Sequence, residues 1–191
     1  MNETVSIVKS QSEGFLLRTS EKTARMMGIS KKKRAYVSFG AASCFVDVEI
    51  LKGTDDNRIS LSKDVIDSLH LPGYPEYETR VRKNEIAIGP CIGIMACRSS
   101  RDLTKKRLKE LSLNVLCYNS IHGAIIAFPL DKVDTSKRIV EGYCHNPSSG
   151  GWEAGTFPYP LSIYRRTSID EQWQNHLLSA IGDTVFNSYN F

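Results

Sequence analysis

The stretch RISLSKDVIDSLHLP (58–72) resembles the earlier stretch FLLRTSEKTARMMGIS (15–30), and this similarity predicts the first half of the fold. When Ser20 is aligned with Ser62, four pairs of apolar residues coincide: Leu17 with Ile59, Ala24 with Ile66, Met27 with Leu69, and Ile29 with Leu71. Each copy has the pattern of a short strand, a serine that can cap a helix, one or two helical turns and an apolar residue. The repeat therefore predicts two equivalent strand–helix units.

Strand patterns lie between the two copies and after the second one. Residues 35–39 and 44–51 are rich in apolar and β-branched side chains, and the second segment partly alternates with Asp47 and Glu49. Residues 76–89 have the pattern of a hairpin that turns at Lys83 and Asn84. Two strand–helix units with pairing strands predict a small, closed, β-barrel-like domain with pseudo-twofold symmetry over residues 1–89.

Gly89 and Pro90 mark the predicted boundary with a second, α/β domain over residues 90–191. The apolar run CIGIMA (91–96) is typical of a strand that is covered on both faces. A helix is predicted over 103–113, where leucines share one side. Further strands are predicted from three segments: NVLCYN (114–119), GAIIAFPL (123–130) and RIVEGYCHN (138–146).

The stretch GWEAGTFPYPLSIYRR (151–166) combines two prolines with four aromatic residues. Proline is excluded from helix interiors, so we interpret this stretch as an entry to a short strand over 161–164. A helix is predicted to begin at Ser168, because Glu171 has the capping-box spacing. Its apolar stripe ends at Gly182 and contains five residues: Ile169, Trp173, Leu177, Ala180 and Ile181.

Two groups of residues are candidates for binding an anionic small molecule. Ligands of open α/β sheets gather at the carboxyl ends of the strands, where Arg165 and Arg166 follow the predicted strand. Ser99, Ser100 and Arg101 follow CIGIMA and precede a helix, so amides and an arginine there could bind a phosphate or carboxylate. The alternatives are that the serines only cap the helix and that the arginines are solvated or form ion pairs.

Composition limits the remaining possibilities. The chain has 191 residues, a net charge of +4 and five cysteines, an odd number without C-x-x-C spacing. It contains no apolar run of the roughly 20 residues that a membrane span needs and no secretory signal pattern, so we expect a cytoplasmic protein. The cysteines favour buried free thiols. A zinc site through Cys144, His145 and His122 is the alternative, although its spacing fits no familiar site.

Other chemistry has little support in the sequence. The basic run SKKKR (30–34) is typical of a solvated loop or of a nucleic-acid surface, but no aromatic residues are interleaved with it, so nucleic acid is not the expected partner. The histidines lie in no nucleophile or metalloprotease motif, and no catalytic residue can be named.

The second half resembles the opening half of YheC/YheD-type proteins, the endospore coat-associated ATP-grasp family. The similarity is carried by IGPCIGIM (88–95), by GAIIAFPLDKVDTSKRIVEGYCHNPSSGGWEAGTFPYPLSIYRR (123–166) and by FNSYNF (186–191). The blocks occur in the family's order and spacing over roughly 86–191. Residues 1–85 match more loosely.

This resemblance implies a small β-rich domain, then a Rossmann-like pre-ATP-grasp domain, then the ATP-grasp fold proper. The ATP and Mg²⁺ ligands of the family belong to that last part, which would begin where this chain reaches Phe191. The resemblance therefore implies a ligase-like fragment that holds no cofactor itself. The intact protein would join a carboxylate to an amine with ATP, and the part present here is expected to be inactive alone.

Two positions depart from the family pattern. Leu161 stands where the family has an Asp, and Arg165 stands where it has an Asn, whereas Arg166 keeps the family's arginine. These changes remove polar groups from the expected ligand-facing strand end. The rival interpretation is a non-enzymatic module that assembles with itself or with the spore coat. In that case Trp152, Phe157 and Tyr159 would be exposed anchors for a partner.

Overall fold

A computed structural model describes residues 2–31, 33–53, 57–74, 76–82, 85–115 and 121–187. The described chain forms two sheets. The first is a closed seven-stranded barrel, and the second is a mixed sheet that curves as a half-barrel. The predicted α/β class and closed barrel are confirmed, whereas a Rossmann-like second domain is not. Within the described residues no helix is long and apolar enough to cross a bilayer.

The barrel contains seven strands and two short helices, α1 (Glu21–Met26) and α2 (Lys63–Leu69). Its spatial order is β1-β5-β2-β4-β3-β7-β6, and β6 pairs with β1 to close it. The strands are β1 (Asn2–Ser10), β2 (Leu16–Ser20), β3 (Arg34–Phe39), β4 (Ala42–Leu51), β5 (Arg58–Ser62), β6 (Tyr77–Arg82) and β7 (Glu85–Ile88).

The predicted repeat forms the centre of the barrel. Strands β2 and β5 pair antiparallel, with Leu17 opposite Leu61, and each runs directly into its helix. The chain leaves the two helices through matching bonds, because Ile29 N donates to Ala24 O at 2.9 Å and Leu71 N donates to Ile66 O at 3.0 Å. The eight aligned apolar residues are all buried. These matches confirm that the two copies form equivalent strand–helix units, and their pseudo-twofold relation stays a prediction.

The two equivalent serines form different bonds. Ser20 caps α1, since its side chain accepts from Thr23 N. Ser62 makes no such cap bond, and its hydroxyl instead donates to Gly14 O at 2.5 Å and accepts from Leu16 N at 3.1 Å. The cap that the sequence predicted for α2 is therefore absent. Ser62 instead joins the second unit to the residues just before β2 in the first unit.

The second sheet has the order β10-β11-β9-β8-β13-β14, with β12 paired to β11. Neighbouring strands are parallel from β9 through β8 and β13 to β14, and β11 and β12 form an antiparallel hairpin. The strands are β8 (Cys91–Cys97), β9 (Ala124–Pro129), β10 (Val133–Asp134), β11 (Ile139–Asn146), β12 (Gly151–Pro158), β13 (Ser162–Arg165) and β14 (Val185–Phe186).

The two faces of this sheet are covered by different helices, which belong to separate hydrophobic clusters. On one face α3 (Lys105–Leu111) buries Leu108 and Leu111 against Ile94 and Ile125. On the other face α4 (Glu171–Ile181) packs its predicted apolar stripe against the hydrophobic cluster that also contains the barrel core. The core on this second face is continuous with the barrel core. The two sheets therefore share one hydrophobic core, although the chain passes between them at Gly89 and Pro90.

The junction between barrel and sheet is tight. The β3–β4 turn contacts β12 and the segment after it, because Ala41 N donates to Tyr159 O at 2.9 Å. A side chain at Gly40 would place its Cβ 2.6 Å from the same oxygen. Beside the chain crossing, Ala124 N donates to Pro90 O at 2.8 Å. Backbone contacts thus fix the orientation of the barrel on the sheet.

Three details of the second half differ from the predictions. The first half of the stretch 151–166 is itself a strand, β12, which the sequence did not indicate. The N-cap of α4 is Asp170 rather than Ser168, since its carboxylate accepts from Trp173 N at 3.0 Å. The predicted strand 114–119 begins as a 3₁₀ turn over Ser112–Val115. Its residues 116–119 and the predicted turn residues Lys83 and Asn84 lie outside the described residues.

Candidate functional site

Strands β8 and β13 end side by side, and this edge brings the predicted residues together. The strands are parallel, Arg165 is opposite Met95, and Arg166 N donates to Met95 O at 2.9 Å. The loops that follow the strands are linked by an ion pair between Arg98 and Asp170 at 3.8 Å. We call residues 97–102, 129–132 and 165–170 the carboxyl edge.

Around Ser100, hydrogen-bond donors of the carboxyl edge already bond to acceptors within the protein. Ser100 N and Oγ both donate to Asp131 Oδ2, at 2.9 and 3.2 Å. Arg101 N donates to Ser99 Oγ, so Ser99 caps the 3₁₀ turn Ser100–Asp102. The carboxylate of Asp131 therefore takes the position that was predicted for an external anion, and this geometry favours the capping interpretation of the serines.

The two neighbouring arginines have different environments. Arg165 is 7% exposed and faces α4, whereas Arg166 is exposed at the end of the strand. Arg165 Nε donates to Asn187 O at 3.2 Å, and Asn187 Nδ2 donates back to Arg165 O at 3.3 Å. Asn187 has a positive φ of 65°, a conformation that asparagine tolerates better than most residues. This reciprocal pair of bonds holds the Arg165 side chain beneath α4.

A cleft of about 210 Å³ opens between α4 and the end of β13–β14, and we call it the α4 cleft. Leu177 is almost fully buried at the helix side, while Leu178 is half exposed at the mouth. Among the described residues that line it, only Arg165 and Asp183 are ionisable. The lining comprises Arg165, Ile169, Gln174, Leu177, Leu178, Gly182, Asp183 and Val185.

A second cleft of about 330 Å³ lies between the carboxyl edge and the β11–β12 hairpin. Ser100, Tyr143 and Thr156 contribute polar groups to it. Its charged residues, Lys132 and Glu141, form an ion pair with each other at 3.1 Å. These two charges therefore partly offset one another.

The cysteines have the environment of structural thiols. Cys91 and Cys144 are buried, whereas Cys44 and Cys97 are half-buried, and Cys117 lies outside the described residues. Burial raises the pKa of Cys91 well above its usual range and raises the pKa of Cys144 to about 12. Thiols with raised pKa values remain protonated at neutral pH and are poor metal ligands.

No zinc site is assembled in the part of the chain that the structure describes, since no three His, Cys, Asp or Glu residues converge there. Cys144 and His145 are successive residues of β11, so their side chains point to opposite faces of the sheet. The predicted alternative of a zinc ion bound by Cys144, His145 and His122 is therefore not supported by the geometry.

In the basic run 30–34, the described residues contact only other parts of the same chain. Arg34 pairs with Asp47 at 2.8 Å on the outside of the barrel, and the bond to Asp47 raises the pKa of Arg34. Lys31 lines a shallow depression with Arg25 and Lys52, while Lys32 lies outside the described residues. The expectation that nucleic acid is not a partner stays a prediction.

The predicted partner-binding aromatics are not exposed anchors. Phe157 and Tyr159 are 5% and 1% exposed and belong to the shared core. Trp152 packs against the α3 layer, and its Nε1 donates to Ser112 Oγ at 3.1 Å. The rival interpretation is therefore wrong about these three residues, because all three pack against the rest of the protein, Trp152 and Phe157 from β12 and Tyr159 from the position directly after it.

Three residues of the site were not singled out by the sequence predictions. Asn187 and Asp183 flank β14, and Asp131 follows β9. The resemblance does include Asn187 and Asp131 within its blocks, in FNSYNF and AFPLDKV, but no single residue in them indicates a contact across the sheet. No family model, curated protein or solved structure matches this chain.

Proposed function

We propose that this chain is the substrate-side portion of an ATP-grasp-type carboxylate–amine ligase, with the second sheet as its Rossmann-like pre-ATP-grasp domain. One observation carries the proposal. Residues from three blocks of the resemblance lie in the adjacent parallel strands β8, β13 and β14, the third block through Phe186 alone. The last two blocks are also joined by the bonds between Arg165 and Asn187.

In this proposal the carboxyl edge holds an anionic substrate. Arg166 is exposed at the end of β13, and Arg165 lies beneath it in the α4 cleft. Cationic groups at such an edge bind a carboxylate and stabilise phosphoryl oxygens during transfer. Ser99, Ser100 and Arg101 shape the neighbouring loop, where Asp131 already engages the Ser100 amide. ATP and Mg²⁺ would be bound by the ATP-grasp portion of the intact protein.

We expect the purified 191-residue chain to release no phosphate from ATP and Mg²⁺ beyond a protein-free control. The reason is that, in this proposal, the residues that bind ATP belong to another part of the protein. Phosphate release at several enzyme concentrations measures this, with Arg166→Ala as the comparison variant. Rapid turnover that Arg166→Ala abolishes would contradict the proposal.

Genomic DNA gives an independent test of the same proposal. An in-frame continuation beyond the codon for Phe191 that encodes an ATP-grasp pattern is the expected result. A stop codon at that point, with no separate ATP-grasp gene beside it, would count against the proposal.

A different observation favours a second candidate function, an assembly module that associates with itself or with a spore coat partner. Tyr164 and Phe186 are 38% and 58% exposed and lie opposite each other on the paired strands β13 and β14. Exposed apolar groups that lie together are typical of interaction surfaces. Light scattering coupled to gel filtration should then show a species larger than 21.4 kDa that Phe186→Ser reduces. A monomer at every concentration would exclude self-association.

A further inference from the structure

The net positive charge of the chain is concentrated in one segment. Residues 98–113 contain six Lys or Arg residues and only two acidic residues, Asp102 and Glu110. Since the whole chain has 25 Lys or Arg and 21 Asp or Glu, the rest of it has nineteen of each kind. The excess of +4 therefore belongs entirely to this segment, which comprises the 3₁₀ turn Ser100–Asp102 and α3.

Four of the six cations are exposed and form no ion pair with a residue of the described chain: Arg101, Lys105, Lys106 and Lys109. The other two are engaged within the protein. Arg98 pairs with Asp170 at 3.8 Å, and Arg107 bonds to Glu110 at 3.2 Å and to Ala96 O at 3.3 Å. Residues 116–120, which lie outside the described residues, contain no Asp or Glu that could offset this charge.

An exposed apolar side chain follows these cations. Leu108 and Leu111 of α3 are buried against the sheet, so Lys106 and Lys109, three residues apart, lie on the outward side of the helix. Leu113 comes four residues after Lys109 and is 72% exposed, the largest value for a large hydrophobic residue of the described chain. We define the α3 face by five residues: Arg101, Lys105, Lys106, Lys109 and Leu113.

The composition of the α3 face fits a lipid surface better than a nucleic acid. Three of its four cations are lysines, which act as flexible point charges and suit the diffuse negative charge of lipid headgroups. Its five residues include no Asn or Gln for reading base edges and no aromatic ring for stacking on a single strand. A phosphate backbone also offers Leu113 no apolar contact, whereas the boundary between headgroups and acyl chains does.

We propose that the α3 face binds the anionic surface of a lipid bilayer. The lysines lie at the level of the phosphate and carboxylate headgroups, and Leu113 enters the boundary with the acyl chains. Helix α3 itself is not inserted, because Leu108 and Leu111 pack on the sheet. Binding through four cations and one leucine is reversible and sensitive to salt. The inference depends only on this face and holds whether or not the chain belongs to a ligase.

Flotation of the whole chain with lipid vesicles tests the proposal. Vesicles of phosphatidylcholine with about 30% phosphatidylserine are compared with vesicles of phosphatidylcholine alone. At about 0.05 M salt we expect at least roughly tenfold stronger partitioning to the anionic vesicles, and this preference should disappear near about 1 M salt, where charges are screened within about 3 Å. Equal partitioning to the two kinds of vesicle at low salt would overturn the proposal.

Two double variants show whether the α3 face is responsible. Lys106→Gln with Lys109→Gln should weaken binding to the anionic vesicles about 25-fold, since each lysine near such a surface contributes a factor of about five. Lys9→Gln with Lys63→Gln is the matched control, because it removes two exposed lysines of the barrel and lowers the net charge equally. The control should bind within about twofold of the unmodified chain. Equal losses in both double variants would show that net charge alone is recognised, and the proposal would be wrong.

Leu113→Ser distinguishes a membrane surface from a nucleic-acid surface. It should weaken vesicle binding about threefold or more, because the apolar contact is lost. Leu161→Ser is the control, since Leu161 is 50% exposed and lies outside the α3 face. Binding of a labelled DNA duplex of random sequence, measured by fluorescence anisotropy, should be the same for the unmodified chain and Leu113→Ser. Unchanged vesicle binding by Leu113→Ser, or tighter binding of the duplex than of the anionic vesicles at equal concentrations of negative charge, would contradict the proposal.

Discussion

Gly40→Ala is expected to lower the free energy of unfolding by about 3 kcal/mol, because it combines a steric clash with backbone strain. The new Cβ would lie 2.6 Å from Tyr159 O and 3.0 Å from Pro158 Cγ, in the contact that joins barrel and sheet. Gly40 also has a positive φ of 55°, as the first residue of a two-residue hairpin turn often does. Such a loss should lower Tm by about 6–12 °C for a chain of this length.

Gly150→Ala is the matched control for Gly40→Ala. Gly150 has a similar φ of 66°, but a Cβ there would meet nothing within 4 Å. Its replacement should therefore show the conformational cost alone, about 1 kcal/mol. Thermal and urea denaturation of both variants measure the difference. If the two substitutions cost the same, the barrel–sheet contact is not as tight as the geometry indicates.

Leu17→Ala and Ile59→Ala should each lower the free energy of unfolding by about 2–5 kcal/mol. Both residues are fully buried, and they occupy equivalent positions in the two strand–helix units. Because both side chains are fully buried, each cost should exceed that of a surface substitution on the same strand. Urea denaturation followed by circular dichroism gives both values.

Arg18→Ala is the control for Leu17→Ala, because it truncates a surface side chain on the same strand and leaves the core intact. Arg18 follows Leu17 in β2 and pairs with Glu49 at 2.6 Å on the outside of the barrel. Surface ion pairs contribute little, so the loss should stay below about 1 kcal/mol. A larger loss for Arg18→Ala than for Leu17→Ala would show that the inward and outward faces of β2 have been assigned wrongly.

The barrel could be predicted because its signals are local. Each serine is followed by an apolar residue four and seven positions later, at Ala24 and Met27 in one copy and at Ile66 and Leu69 in the other. The same spacing gives a short helix followed by a buried apolar residue in both copies, Ile29 in the first and Leu71 in the second. Both sets of aligned apolar residues are buried, as predicted. What differs between the copies, the bond from Ser62 to Gly14, joins residues far apart in the sequence and leaves no local pattern.

Strand β12 could not be predicted because its stability comes from its partner. The sequence GWEAGTFP has no alternation of apolar and polar residues, yet it pairs with β11 along its full length. Within β12, a Cβ on Gly155 would approach the Phe157 ring to 2.7 Å, so the packing of Phe157 favours glycine at this position. This requirement lowers the strand propensity from which a sequence-based prediction starts.

The sequence predicted which edge of the sheet holds the candidate site, but it did not predict which way the side chains there point. Parallel strands end at one edge, and that rule brought Arg165 and Arg166 near the loop after β8. The direction of each side chain was not predictable, because it depends on which face of the sheet α4 covers. Once α4 lies over the face of Ile163, alternation sends Arg165 inward beneath it and leaves Tyr164 on the opposite face.

The position of β1 in the barrel has a consequence for biosynthesis. The first strand of the chain finds its partners only in β5 and β6, some fifty to eighty residues later. At translation rates of about 5–20 residues per second, those partners emerge several seconds after β1 does. A nascent chain must therefore carry an unpaired strand through that interval, and binding by a chaperone that shields β1 would improve the yield of folded protein.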